Sequence, residues 1–341
     1  MINPYEKVNW GTWQKVVSVS HGHAKTQEHF NNLYTGGVRH FAVSNYYRSE
    51  PLYPAINGEI SGIETVDDIT IPNDVILSPN AEHHNMPVNS LHMCSIGSFF
   101  SSGSPEVDNG DGTYDRTAVP KGMGGRSWKT LVKKALRDRQ YRGLCSLTIN
   151  HPTWSHLSLV NIFKILDYSD AVIGIEAYNT DLENDLKYWD NVLKTGRKAW
   201  GFFVPDHKHK TKPNGDWEGR NVLLVPQAND KFCLLAYIHG QFFGRLKNTD
   251  LSFTDISVNG RVITVSTNSA EKITIIEGDT RTEYSGASCV HTCAANSVYA
   301  RIEANGLGDT IYSQPIIFKV FKPKSTFEVR RKKRQRIMSW Y

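Results

Sequence analysis

The stretch "KVVSVSHGHAKTQEHF", residues 15–30, decides how the rest of the chain is read. Val16 to Ser20 have the apolar, β-branched character of a strand, and two histidines, His21 and His23, follow at once. In an extended chain, residues i and i+2 point to the same face. Two imidazoles therefore stand side by side where the strand ends, which is a chelating arrangement. The chain carries 13 histidines, so one such pair is weak by itself. Its meaning turns on whether other ligand-type residues also fall at strand ends.

They do. Strand-like runs recur at "VRHFAVSN" (38–45), after the helix stop Gly36-Gly37, and at "DVILSPNAE" (74–82), "GLCSLTINH" (143–151), "AVIGIEAYN" (171–179) and "KAWGFFVPD" (198–206). Helix-like segments lie between them: "SWKTLVKKALRDRQ" (127–140), "LSLVNIFKILD" (157–167) and "DLENDLKYWDNVLKTG" (181–196). The last places Leu182, Leu186, Trp189 and Leu193 at helical spacing, with Gly196 as its stop. Alternating strands and helices imply a parallel sheet, and a closed barrel would gather the C-terminal strand ends at one mouth. Those ends carry His21 and His23, then Glu82 with His83 and His84, then His151, then Glu176 and Asn179, then Asp206 with His207 and His209. His92 follows in "LHMCSIG". Imidazole with carboxylate suits Zn, Mn or Fe. A pair of such ions activates water and neutralises a phosphoryl transition state.

The chain's length of 341 residues favours two domains. Beyond about residue 225 the pattern changes to short alternating segments, "FTDISVNGRVITVSTN", "KITIIEGDTRTEY", "SVYARIEAN" and "IYSQPIIFKV", separated by turns at Asn259-Gly260, Gly278-Asp279 and Asn305-Gly306. A small antiparallel β-sandwich is expected there. The divisions read as 1–225, 226–321 and a basic tail, 322–341. Residues 97–126 form a long segment rich in Gly, Ser and Asp, read as a lid or substrate loop. Its "DNGDGT" lacks the terminal Glu of a calcium loop.

Composition is that of a soluble globular chain, 39% hydrophobic and 21% charged. No run of 18 apolar residues exists, so no membrane span is expected, and the first residues lack the plan of a secretion signal. A cytoplasmic setting follows, or a virus particle if the chain is a phage component. Five cysteines is an odd number, and "CVHTC" (289–293) is read as reduced cysteines beside a strand in preference to a zinc half-site. Net charge is +5, but residues 322–341 hold eight basic residues against Glu328 alone, so the body carries −2. The body is thus no nucleic-acid surface by charge. The tail is read as a solvating segment or as a docking element for another subunit, nucleic acid or a large assembly.

The ordered set "SHGH", "PNAEHHN", "LHMCSIG", "NHPTWS", "GIEAYN" and "WGFFVPDHK" resembles the PHP (polymerase and histidinol phosphatase) superfamily of metal-dependent phosphoesterases over residues 16–225. The resemblance implies a distorted (β/α)7 barrel with two or three divalent ions at its mouth, followed here by the β-sandwich. It implies His21 and His23 as the opening pair, Glu82 as a bridging carboxylate, and His92, His151 and Asp206 as further ligands. His29 would match a ligand of a third ion. Two departures stand out: Ser44-Asn45-Tyr46 replaces Thr-Asp-His, and Lys208 stands where the closing Asp-x-His has histidine, leaving His207 or His209 to serve. Both losses fall on the third ion, so two are expected, with a weak third left open.

The resulting expectation is hydrolysis of a phosphomonoester or phosphodiester by metal-activated water, with His207 or His29 passing the proton to the leaving group. Arg126 is the candidate phosphate clamp, because a guanidinium grips two oxygens, and Asn179 a second substrate contact. Several residues have competing readings. Glu64 rivals Glu82, since "ISGIETV" also looks like a strand end. His83 and His84 face opposite ways, so one at most points to the site. Glu176 and Asn179 also serve as residues shaping the mouth. The alternative function is a structural or assembly protein, such as a virus-particle component, that retains a degenerate barrel.

Overall fold

The structure is a computed structural model that describes residues 1–24, 26–44, 69–84, 86–88, 90–102, 107–108, 114–115, 126–212 and 217–321. Glu64, Asn45, Tyr46, most of the long loop and the basic tail lie outside the described residues.

The chain is mixed α/β with several sheets. The opening strand, Gln14–Val19, pairs in parallel with His40–Phe41, which pairs in parallel with Ile76–Leu77. On its other side Gln14–Val19 runs antiparallel to Arg220–Val225, which is antiparallel to Phe242–Arg245. The same sheet continues through Asp309–Ser313, Tyr299–Gly306 and Lys272–Glu277 to Thr280–Ser285. A second sheet holds Trp200–Phe203, Val172–Tyr178, Ser146–Ile149, Met93–Ile96 and Glu82–His83 in that order. Its first three strands are parallel, whereas Met93–Ile96 is antiparallel to both its neighbours.

This pairing differs from a uniformly parallel barrel in two places. The run 74–82 is not one strand. Ile76–Leu77 and Glu82–His83 belong to different sheets. Pro79 lies between them and has no N–H to give a ladder, and the chain changes partners across it. Glu82 therefore begins a short strand and does not end a long one. Secondly, the seven-stranded ring is not spelled out by one continuous ladder among the described residues. The two sheets meet through the parallel bridge Gly22–Asp206 and through the Glu82 amide, which donates to the Ser44 carbonyl at 3.0 Å.

Helices follow the sequence pattern closely: Gln27–Thr35, Trp128–Arg137, Leu159–Leu166, Leu182–Leu193 and Asp230–His239. Each starts at a Thr, Ser, Asp or Asn whose side chain accepts from a first-turn amide: Thr26, Ser127, Ser158, Asp181 and Asn229. Trp189 and Leu193 are buried, and Leu182 and Leu186 pack against the same core. The helix stops three residues short of Gly196, which takes the left-handed φ of +76° that glycine tolerates.

After His239 the described chain is all strand. A three-stranded sheet, Phe253–Asn259, Val262–Thr267 and Ser288–Thr292, shares one apolar core with the far strands of the large sheet. Ile256, Ile263 and Val265 from one side meet Ile273, Ile275 and Ile302 from the other. Turns fall at Gly260 and Gly278 as expected. Asn305-Gly306 remains in strand, and the chain reverses at Leu307-Gly308.

Candidate metal centre

His21 and His23 emerge from the end of Gln14–Val19 with their rings 5.3 Å apart and nearly perpendicular, and both are buried. Around them converge Glu82, His151 and Asp206. His21 Nε2 lies 3.3 Å from Glu82 Oε2 and 3.4 Å from Asp206 Oδ1. His23 Nε2 repeats both distances, 3.3 and 3.4 Å. Donors set tetrahedrally about 2.0–2.1 Å from a zinc-class ion lie about 3.4 Å from one another. The four atoms thus outline a cage of the right size. His21 Nε2 and Asp206 Oδ1 are buried without a hydrogen bond. Such orphans are rare in folded proteins, and a cation among them satisfies both.

Glu82 turns its other oxygen the opposite way. Oε1 is 3.0 Å from His92 Nδ1 and 3.2 Å from His151 Nε2. One carboxylate therefore faces two sets of imidazoles, one oxygen to each. Among the described residues, His21–Glu82–His151 and His21–His23–Asp206 are groups that could each hold an ion, their donor atoms within 4.8 Å of one another.

The electrostatics fit a cation site. Burial opposes charging of His21, but Asp206, Glu82 and Glu176 outweigh it and hold its pKa well above the ordinary value. Glu82 and Asp206 are likewise buried, yet the surrounding imidazoles keep both carboxyls well below their usual range. The pocket concentrates negative charge, which protons on histidine offset. A divalent ion meets the same demand.

Neighbouring groups fix these side chains. Glu176 Oε1 lies 2.6 Å from His21 Nδ1, while its Oε2 accepts from the His151 amide at 2.7 Å and from Asn179 Nδ2 at 2.8 Å. His21 Nδ1–H thus donates to the carboxylate, which leaves Nε2 as the nitrogen facing the cage. Asn179 also donates to Asp206 Oδ2 at 3.3 Å. Its amide thus donates to two carboxylates, those of Glu176 and Asp206. His151 and Asp206 have φ of +26° and +49°. Non-glycine residues in this region cost about 1–3 kcal/mol and gather at functional sites.

The other sequence candidates are placed as follows. His207 is the histidine beside Asp206, 3.4 Å from Oδ1, and its ring stacks on His23 at 4.3 Å. His209 turns away to the His23 carbonyl, 3.1 Å from its Nε2. Lys208 donates to the Asn179 carbonyl and lies 4.0 Å from the Tyr178 ring. His29 stands next to His209, with ring centroids 6.3 Å apart. His83 contacts Ser102 and Ser95, whereas His84 approaches His92, so the two do face apart. Arg126 is exposed just ahead of the cap Ser127 and is not drawn into the cluster.

Three contributors escaped the sequence reading. Asn150 donates to Glu82 Oε1 at 3.1 Å and accepts from the Cys94 amide at 3.1 Å. Asn80 donates to the Ser20 and Ala42 carbonyls, both at 2.8 Å, and accepts from the Ser95 amide at 3.0 Å, so it ties the two sheets beneath the site. Trp154, 57% exposed, stands edge-on to His92 and His151 at the rim. Asn150 and Trp154 flank His151 in "NHPTW", the one local signal available.

No family model matches the chain, and no curated protein matches it. Among solved structures it is similar to a two-domain protein containing a predicted PHP-like metal-dependent phosphoesterase from Bacteroides vulgatus ATCC 8482. Identity is 8%, the match covers 92% of this chain and 97% of that one, and the TM-score is 0.45. A likeness that distant carries no argument. What the chain itself presents is a mixed α/β scaffold with His, Glu and Asp clusters suited to divalent metal ions.

Proposed function

We propose that the chain is a metal-dependent hydrolase of phosphate esters. In this reading residues 1–225 form a PHP-like barrel, residues 226–321 a β-sandwich, and residues 322–341 a docking tail. The observation that carries the proposal is Glu82, whose two oxygens face two separate sets of imidazoles. That geometry supports a bridging carboxylate and hence two ions, with Zn, Mn or Fe matched to its nitrogen and oxygen donors.

When bound, such ions make a neutral-pH nucleophile of water and offset charge on phosphoryl oxygens. The chain supplies the rest. His21, His23 and Asp206 would hold one position with Glu82 Oε2, and His92 and His151 would hold the other with Oε1. Glu176 locks His21 in the tautomer that offers Nε2 inward. Lys210 Nζ donates to His207 Nδ1 at 2.6 Å, which leaves the His207 proton on Nε2, the nitrogen facing Asp206. His207 would then donate a hydrogen bond from Nε2–H to the leaving oxygen, whose proton comes from solvent. The exposed Trp154 provides an apolar edge against which the ester's organic group can rest.

Elemental analysis of the purified chain, with hydrolysis of p-nitrophenyl phosphate and its diester, tests the reading. The expected result is at least one ion per chain, and turnover that His21→Ala abolishes along with metal content. Less than one ion per chain, or metal and turnover unchanged in His21→Ala, would sink it.

A further inference from the structure

A second group of ligand-type side chains, sharing no residue with the His21 cluster, lies in the strand-rich end of the chain. His291 and Cys293 sit two residues apart at the end of Ser288–Thr292 and both point inward, while Val290 and Thr292 between and before them point to solvent. The alternation is that of extended chain. Opposite them, Glu277 ends the strand Lys272–Glu277 of the large sheet. The donor atoms of Glu277, His291 and Cys293 all lie within 4.8 Å of one another.

The group is more than a histidine–carboxylate pair. Glu277 Oε1 accepts from the Ala294 amide at 3.0 Å and from Ser297 Oγ at 2.5 Å, which fixes the carboxylate and points Oε2 at His291 Nε2, 2.8 Å away. His291 Nδ1 is within 2.8 Å of the Tyr284 hydroxyl. Histidine ligands to metals are commonly held through the second ring nitrogen in this way. The Cys293 thiol, 3% exposed, converges on the same carboxylate. Nothing in an ion pair between Glu277 and His291 requires a buried thiol to join it. Glu277 also lines a cavity of about 260 Å³ together with Lys194, Ala294, Ser297 and Tyr299, so solvent has access to the carboxylate.

We propose that Glu277, His291 and Cys293 bind one zinc-class divalent ion, with water in the fourth position, and thereby staple the three-stranded sheet to the large sheet. One nitrogen, one sulfur and one oxygen donor suit a borderline-soft tetrahedral ion. Binding releases the thiol proton to solvent, and the imidazole proton moves from Nε2 to Nδ1, which then donates to the Tyr284 hydroxyl oxygen. Glu277 stays monodentate through Oε2, because Ala294 and Ser297 keep Oε1. This site stands independently of the hydrolase reading, since it shares no residue with the His21 cluster.

Cobalt(II) is the discriminating probe. Thiolate-bound cobalt shows a near-ultraviolet charge-transfer band that imidazole and carboxylate ligands do not give. Adding cobalt to the full chain is expected to raise this band, and Cys293→Ser and His291→Gln are each expected to abolish it. Cys289→Ser and His21→Ala are expected to leave it in place. No band with cobalt in excess, or a band unchanged in Cys293→Ser, overturns the proposal. A band lost in His21→Ala but kept in His291→Gln assigns the thiolate elsewhere and overturns it equally.

Discussion

Glu176 and His21 come from strands 155 residues apart in sequence, yet their Oε1 and Nδ1 lie 2.6 Å apart in the buried mouth of the site. The carboxylate sets which nitrogen of His21 faces the cage, and its other oxygen holds the His151 backbone. One side chain thus orients residues of both imidazole sets without entering either.

Replacing Glu176 by Gln keeps size and removes charge. All six proposed ligands remain, but the His21 tautomer is no longer enforced. Metal affinity is expected to fall about 10- to 100-fold, the usual cost of losing such a supporting group. Competition against a chromophoric chelator measures it directly. Unchanged affinity would show that Glu176 merely packs there.

Glu82 has the opposite role, since the imidazoles crowd around it. In chelator-treated protein, Glu82→Gln leaves His21, His92 and His151 facing one another with their shared carboxylate gone. Breaking a buried ionic cluster by removing one partner costs about 3–5 kcal/mol. Urea unfolding of the metal-free variant is expected to show a loss of that size. Metal content of the untreated variant should drop below that of the native chain. A variant as stable as the native chain and fully loaded would remove Glu82 from the centre of the site.

Much of this was legible in the sequence, and the exceptions share a cause. His21 and His23 were readable because strand periodicity is local. The capped helices were readable for the same reason, as with Asp181 ahead of Leu182–Leu193. The direction of Met93–Ile96 was not, because its four residues are all buried and carry no alternation to read. Asn80 and Asn150 were not legible either. Their partners Ser20 and Glu82 lie 60 and 68 positions away, and an asparagine looks alike in a turn and in a buried network. Glu277 is 14 residues from His291, so "CVHTC" gave half a site and no hint of the carboxylate across the sheets.

His40 makes the fold sensitive to acid. It is fully buried, with Nδ1 2.7 Å from Ser18 Oγ and Nε2 2.8 Å from Ser78 Oγ, and burial lowers its pKa to about 3. The unfolded chain binds this proton at about pH 6.5, the folded chain only near pH 3. Between those values the unfolded state holds more protons, so stability falls as pH falls, by up to about 1.4 kcal/mol per pH unit from this group. Above about pH 6.5 its effect vanishes. His40→Gln is expected to cost some stability at pH 7.5 and to flatten the decline between pH 6 and 4 relative to the native chain. Parallel slopes in denaturant titrations across that range would rule His40 out as a contributor.

The last relationship joins the site-bearing half to the strand-rich end. Asp190, on the helix Leu182–Leu193, receives Arg301 Nε at 2.7 Å and Nη2 at 2.8 Å, a paired grip, and the Tyr299 hydroxyl at 2.8 Å. Arg301 is 1% exposed and its Nη1 donates to Glu303 at 2.7 Å. A guanidinium that deep keeps its charge, so removing Asp190 leaves it short of a partner while Glu303 alone remains. Asp190→Asn is therefore expected to cost about 3 kcal/mol. Arg301→Met alone should also destabilise, by stranding the two carboxylates. The double variant, Asp190→Asn with Arg301→Met, should recover part of the loss, because the desolvation of both charges is relieved together. A coupling energy of about 1–3 kcal/mol from the double-mutant cycle is the expected reading. Strict additivity would mean that the helix is held to the sheet by the apolar contacts of Trp189 and Leu193 alone.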